Sequence, residues 1–267
     1  MTELSRIVDL ERYPIAELGS PEAQSLVEAC RGQMAETGLC LLPDFVRKEA
    51  LARMAEEARR LLPSAHRTEH WRASGHGSGG AGSGTIPRAT RASIGAIAYD
   101  RIAAPSPLRV LYEWDGLTDF VAAVLDSSTL CRCADPVVSC MLTVCRRADE
   151  LGWHYDPNDG VVSLMLQQAD AGGAFEFAPG VRSAAPDAGE AELAVLDGCY
   201  PKVVRPELSA GTLSMFNGHG SLHRVASVTG TRERIIALFN YMAEPGYVFS
   251  EEIQRKFFGR VAFTGRG

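Results

Sequence analysis

Thr212-Leu213-Ser214-Met215-Phe216 runs into Asn217-Gly218-His219-Gly220, and a second run follows, His223-Arg224-Val225-Ala226-Ser227-Val228. Two short apolar segments parted by a glycine-rich turn read as strands. Outward from there the texture repeats: Val137 to Cys145, Val161 to Gln167, Ala174 to Ala178, Leu193 to Leu196 and Arg234 to Met242, each bounded by Gly, Pro, Asn or Asp. Many short strands with no helical pattern between them predict a mainly β fold, a sandwich or jelly roll, with its core over about 137–245. The whole chain, 1–267, reads as one domain.

Upstream, residues 1–65 read as a helical N-terminal part. From Ser20 to about Glu36, Ala23, Leu26, Val27, Cys30 and Met34 recur at helical spacing, with Ser20-Pro21 as N-cap and first turn. A strand-like run, Leu39 to Leu42, precedes a second amphipathic pattern through Leu51, Met54, Ala55, Ala58, Leu61 and Leu62. Ser74 to Thr85, SGHGSGGAGSGT, has few side chains able to bury area and is expected to be a flexible loop, with a lid over an active site as the alternative role. His66, His70 and His76, beside the helix end and this loop, are expected to be solvent-exposed.

The 267 residues are 46% hydrophobic and 22% charged, with a formal net charge of -6. That balance fits an ordinary globular protein and disfavours nonspecific binding to nucleic acid or an anionic membrane, both of which need clustered positive charge. A small-molecule partner is favoured instead. No apolar stretch approaches the ~20 residues that span a bilayer, and no signal-type segment opens the sequence, so the cytoplasm is the expected location. The seven cysteines form no disulfide framework, and Cys131 and Cys133 offer only a C-x-C, so reduced structural thiols are expected.

Chemistry concentrates in Gly152-Trp153-His154-Tyr155-Asp156-Pro157. On an extended strand, residues two apart point the same way, so His154 and Asp156 supply two legs of a metal site. His223, 69 residues further on at the start of another β segment, is the third. Two histidines and one carboxylate form the facial set that leaves positions open on Fe(II). His219 sits in a glycine-rich turn that lacks the helix an i, i+4 metal pair requires, so it is not expected to ligate.

If Gly230-Thr231 formed the centre of a type II′ hairpin, Ser227 would pair with Arg234 and His223 with Leu238. Arg234 would then share the face of His223, about 13 Å away along the strands. A five-carbon oxo diacid chelating the metal would present its far carboxylate between them, within reach of a bidentate guanidinium. Asn240 falls on the same deduced face and is a candidate substrate contact. Arg232 shares the face but lies further from the metal, and Glu233 points away.

His154-Tyr155-Asp156, His223 and Arg234 resemble the HxD…H…R signature of the Fe(II)/2-oxoglutarate-dependent oxygenases. The strings Gly173-Ala174-Phe175-Glu176-Phe177-Ala178-Pro179-Gly180 and Ser221-Leu222-His223-Arg224-Val225 resemble the branch containing free-amino-acid halogenases and hydroxylases, the lysine halogenases and related ring-forming oxygenases among them. The resemblance runs from about Leu39 to the C-terminus. It implies a double-stranded β-helix, a cupin-like jelly roll, and iron held by His154, Asp156 and His223. It also implies 2-oxoglutarate as cosubstrate, with Arg234 as its anchor, and oxygen as the oxidant of an unactivated C–H bond. In that branch an upstream arginine binds the substrate carboxylate; Arg91 matches it better by spacing than Arg88. Halogenating members carry Gly or Ala at the carboxylate position, where this sequence has Asp156, so halogenation is disfavoured.

The expected activity is hydroxylation of a free amino acid or close derivative in natural-product biosynthesis. Oxidative cyclisation, such as cyclopropane formation, or desaturation at the same site is the first alternative. A non-catalytic metal-binding jelly roll is the second, and Arg234 weighs against it, because a bare metal site has no need of a dicarboxylate clamp.

Overall fold

Ser20 and Pro21 start a helix where the sequence places one. In the computed structural model, which describes residues 3–74, 88–156, 161–182 and 188–262, a short α1 (Glu3–Ile7) precedes α2 (Pro21–Thr37). The Ser20 hydroxyl accepts the Ala23 N–H, and Gly38 closes the other end at φ +75°, a left-handed conformation that glycine adopts without strain. β1 (Leu39–Leu42) follows at once, then α3 (Lys48–Leu61) with Ala50, Met54, Ala55 and Ala58 buried along one face. A long hairpin comes next, β2 (His66–Ser74) and β3 (Arg88–Ile97), and then α4 (Pro107–Glu113), α5 (Asp115–Val124) and β4 (Cys131–Arg132). The β-rich half holds β5 (Cys140–Cys145), β6 (Glu150–His154), β7 (Val161–Gln167), β8 (Phe175–Ala178), α6 (Ala188–Leu196), β9 (Leu213–Phe216), β10 (Leu222–Val225), β11 (Arg234–Phe239) and β12 (Tyr241–Met242). α7 (Glu251–Phe258) ends the described chain.

Ten strands form one antiparallel sheet in the order β1-β9-β7-β11-β5-β3-β6-β10-β8, with β2 added on β3. The sheet curls until its ends meet. Phe177 on β8 packs 5.2 Å from Phe216 on β9, and Leu39 on β1 joins the same cluster. Alternation along each strand then separates an inside from an outside. On β11, Ile235, Ala237 and Phe239 turn outward into the main core, where residues of α2, α3, α4 and α5 cover them. Arg234, Ile236 and Leu238 turn inward. This is the mainly β jelly roll expected from the sequence.

Three expectations need correction. Leu193–Leu196 is the last turn of α6, because Glu190-Ala191-Glu192 before it are strong helix formers that continue the helical phase. His66 and His70, expected to be exposed, lie half-buried on β2, with His70 opposite Ala92. The hairpin over Gly230-Thr231 does not form: His223 pairs with His154 and Phe177, while Leu238 pairs with Met141 and Ser163. A type II′ turn requires positive φ at its first central residue, and Gly230 does not have it. Instead the Asp170 carboxylate accepts the Arg232 N–H and the Thr231 hydroxyl, turning the chain from one half of the sheet to the other. The stretch 75–85 and His76 lie outside the described residues. Among the described residues, no helix is long and apolar enough to cross a membrane.

Candidate metal centre

β6 and β10 are antiparallel neighbours, and His223 stands directly opposite His154. Further along, Val225 stands opposite Leu151, so β6 spends three residues where β10 spends two. That mismatch is a β-bulge over Gly152-Trp153. In unbroken alternation Leu151 and His154 would face opposite ways; the extra residue brings both inward with His223 and Val225. Trp153 turns out to pack on Ala178, Val181, Val195 and Leu222. Gly152 is pressed by β3, where a Cβ would come 2.6 Å from Thr90 Cβ and 2.8 Å from the Arg91 carbonyl oxygen.

Past the strand end, the Asp156 N–H donates to the Gly218 carbonyl at 3.0 Å. A Cβ on Gly218 would overlap the Asp156 carboxylate, so glycine in that turn makes the carboxylate's seat. Asp156 Oδ1 lies 3.7 Å from His154 Nε2 and Oδ2 lies 3.4 Å from His223 Nε2. Among the described residues, these three offer ligand atoms that all lie within 4.8 Å of one another. The Nδ1 atoms face carbonyl oxygens, His154 that of Gly152 at 2.8 Å and His223 that of Ser221 at 2.9 Å. A carbonyl only accepts, so each Nδ1 donates to it and each Nε2 is the ring nitrogen turned toward the carboxylate. The donor set, two imidazole nitrogens and one carboxylate, suits Fe(II). Phe216 stands edge-on to the His223 ring at 4.9 Å and Phe175 lies tilted to it at 6.0 Å, walling the site with apolar surface.

Arg234 opens β11 opposite Cys145, which packs in one cluster with Val225 and Leu151. Arg234 and His223 therefore face the same interior, through the curl of the sheet and not through a hairpin. The side chain is 4% exposed, and burial pushes its pKa below the ordinary arginine value. Among the described residues, no carboxylate stands within ion-pair distance of it. It lines a cavity of about 210 Å³ with Met165, Gly172, Gly173 and Phe175. Gly172 and Gly173 both sit at φ +70°, and a Cβ on Gly173 would come 3.3 Å from Arg234 Cδ, so the glycine pair makes room for the arginine stem. Glu207 lines the same cavity but makes no ion pair with Arg234, and a buried guanidinium on a cavity wall without an ion-pair partner among the described residues fits an acidic ligand.

Arg91 and Asn240, the expected substrate contacts, are spent elsewhere. Ala92 faces inward opposite Leu151, so its neighbour Arg91 faces out, bonding Glu69 Oε1 at 2.8 Å and the Ala148 carbonyl at 2.8 Å. The Asn240 amide donates to the Val138 carbonyl at 2.6 Å, in the turn between β11 and β12. The side chain of Arg88 lies outside the described residues. His219 is not one of the three residues whose ligand atoms converge, and its Nδ1 lies 3.2 Å from Arg182 Nη1. Gly152, Gly218, Phe175 and Phe216 were missed. A glycine inside a strand pattern is a bulge signal that pointed to Gly152.

Residues 22–253 match the halogenase D family. This chain belongs to that family. No curated protein sequence matches it. Among solved structures it is similar to SnoN, the non-heme α-ketoglutarate-dependent epimerase from nogalamycin biosynthesis, solved with Fe3+, α-ketoglutarate and nogalamycin RO. That likeness has a TM-score of 0.57 at 14% identity and covers 82% of this chain and 84% of SnoN. AviO1 from Streptomyces viridochromogenes Tue57 gives 0.56 at 19% identity over 82% and 95% of the two chains. A Pseudomonas putida prolyl-4-hydroxylase gives 0.51 at 15% over 80% and 97%. At such identities the likeness carries the fold, the jelly-roll core of the Fe(II)/2-oxoglutarate oxygenases. Membership in the halogenase D family places the chain among enzymes, and its fold is the one that those oxygenases share.

Proposed function

We propose that this halogenase D family member hydroxylates an unactivated C–H bond of a free amino acid or close derivative, in natural-product biosynthesis. His154, Asp156 and His223 hold Fe(II), and Arg234 holds 2-oxoglutarate. The observation that carries the reading is the carboxylate of Asp156, between the two Nε2 atoms at 3.7 and 3.4 Å. It occupies with protein the coordination position that a halide needs, so oxygen transfer is favoured over halogenation despite the family's name.

With Fe(II) and 2-oxoglutarate bound, the centre supplies a C–H oxidant: oxygen is split between succinate and product as the keto acid loses carbon dioxide. The chain's own part is positioning. Gly152 and Ser221 carbonyls hold both imidazoles in the tautomer that frees Nε2. Arg234, itself buried, would form a fork to the far carboxylate, and burial strengthens such a pair. Phe175 and Phe216 keep water off the ligand histidine. Free thiols, with Cys30, Cys40, Cys133, Cys140 and Cys145 buried, agree with a cytoplasmic setting.

Succinate release and product mass, measured with Fe(II), 2-oxoglutarate and a panel of free amino acids, test the reading. A product heavier by one oxygen is expected. Loss of two hydrogens shifts the assignment to cyclisation or desaturation, and metal binding without succinate for any substrate overturns it in favour of a non-catalytic protein.

A further inference from the structure

Arg182 is a guanidinium outside the metal and cosubstrate sets, yet its contacts fall on both sides of Asp156. Its Cζ lies 5.1 Å from the centroid of the Tyr155 ring, the residue just before Asp156. Its Nη1 reaches the His219 carbonyl at 3.3 Å and His219 Nδ1 at 3.2 Å, and His219 follows Gly218, the acceptor of the Asp156 N–H. Arginine has no acceptor atom, so in this contact the guanidinium donates and His219 Nδ1 accepts. Among the described residues, no carboxylate lies within ion-pair distance of Arg182. Its hydrogen bonds go to the turn that seats the third ligand, and its cation–π contact goes to the segment that carries that ligand.

His154 ends β6 and Leu222 begins β10, so residues 155–156 and 217–221 lie outside the strand ladder. The Asp156-to-Gly218 bond is one link between them, and Arg182 is a second. The Tyr155 ring in turn packs with Trp153 and Leu222 on the outer face, anchoring the guanidinium to the rigid sheet. We propose that Arg182 is a positioning residue for Asp156: it fastens the end of β6 to the glycine turn and so fixes where the carboxylate stands relative to the two imidazoles.

The inference rests on Asp156 being a metal ligand, and its test separates the two. Co(II), used as a spectroscopic stand-in for Fe(II), is titrated into the full chain by calorimetry and by its visible absorption, with no turnover required. Asp156→Ala is the control: binding equal to the parent's sinks the ligand assignment itself. With that control weakened, Arg182→Ala is expected to lower Co(II) affinity about tenfold, the usual loss on removing a partner that orients a ligand, and to change the absorption envelope. Arg182→Lys, which keeps charge but not the flat fork, is expected to recover part of both. Parent affinity and parent spectrum in Arg182→Ala overturn the proposal. Should Arg182→Ala fail to fold, Tyr155→Leu removes the ring under the guanidinium and carries the same test, a spectrum identical to the parent's being the overturning result.

Discussion

The two faces of the curled sheet use the same strands for opposite purposes. Outside, Ile235, Ala237 and Phe239 join Leu142, Val144, Leu164 and Leu213 in one apolar core beneath the helices. Inside, the same strands and their neighbours offer Arg234, His154 and His223 with an aromatic wall. The outer face obtains its free energy from burial and close packing, while the inner face keeps an arginine desolvated and leaves room for a ligand. Stability and chemistry are thus separated by the direction of a side chain, and substitutions on the two faces are expected to fail differently.

The sharpest way to break that separation is at the ligands. His223→Ala is expected to lower turnover about a thousandfold, equal to about 4 kcal/mol of barrier, with the melting temperature of the metal-free protein little changed. A melting transition lost together with activity would show that the inner face also holds the fold. Next in size is Arg234→Ala, expected to raise the 2-oxoglutarate KM about a hundredfold while metal affinity stays near the parent's. Added 2-oxoglutarate with metal should raise the melting temperature of the parent and not of this variant, since only a bound ligand stabilises by mass action.

The outer face supplies the converse. Phe239→Ala removes a ring that is 1% exposed and 5.5 Å from Tyr112. It should cost about 3–5 kcal/mol in denaturant unfolding and leave the 2-oxoglutarate KM of the folded enzyme unchanged. The smallest effect concerns a polar exception on that face. Asp149 is buried, which pushes its carboxyl up, but hydrogen bonds from Arg67, the Arg146 N–H and Ser93 outweigh this and hold it below the usual carboxylate value. A depressed folded pKa contributes stability above about pH 4 that is lost as pH falls through the folded value. Asp149→Asn should therefore be less stable than the parent near neutrality, with the gap narrowing in acid; equal stability at both pH values would remove the carboxylate from the ledger of the fold.

Much of the centre was legible because the chemistry forces residue types. His154, Asp156, His223 and Arg234 were identified from spacing and from a family signature, and the structure brings the first three together with Arg234 on the same inner surface. The route was illegible. Local turn chemistry at Gly230-Thr231 suggested a hairpin, but Asp170, about sixty residues earlier, decides the chain's path there, and no local rule sees that far. Arg91 was matched by spacing to an arginine of the resembling branch, and spacing does not fix which way a side chain faces; Asn240 was placed through the assumed hairpin, whereas it lies in the turn between β11 and β12. α4, α5 and the β2-β3 hairpin were missed because their apolar residues serve long-range packing more than a clean local period.

The bulge at Gly152 gives β6 one residue more than β10 spends between the same two pairings. Without it Leu151, Trp153 and His154 would simply alternate, so the inward aim of the imidazole would survive and the loss would fall on the local bend and twist that a bulge adds to its strand. The spare residue therefore shapes the path of the chain beside the ligand, not the direction of the ligand: shortening β6 by this one position keeps the histidine's heading and changes the curvature under it.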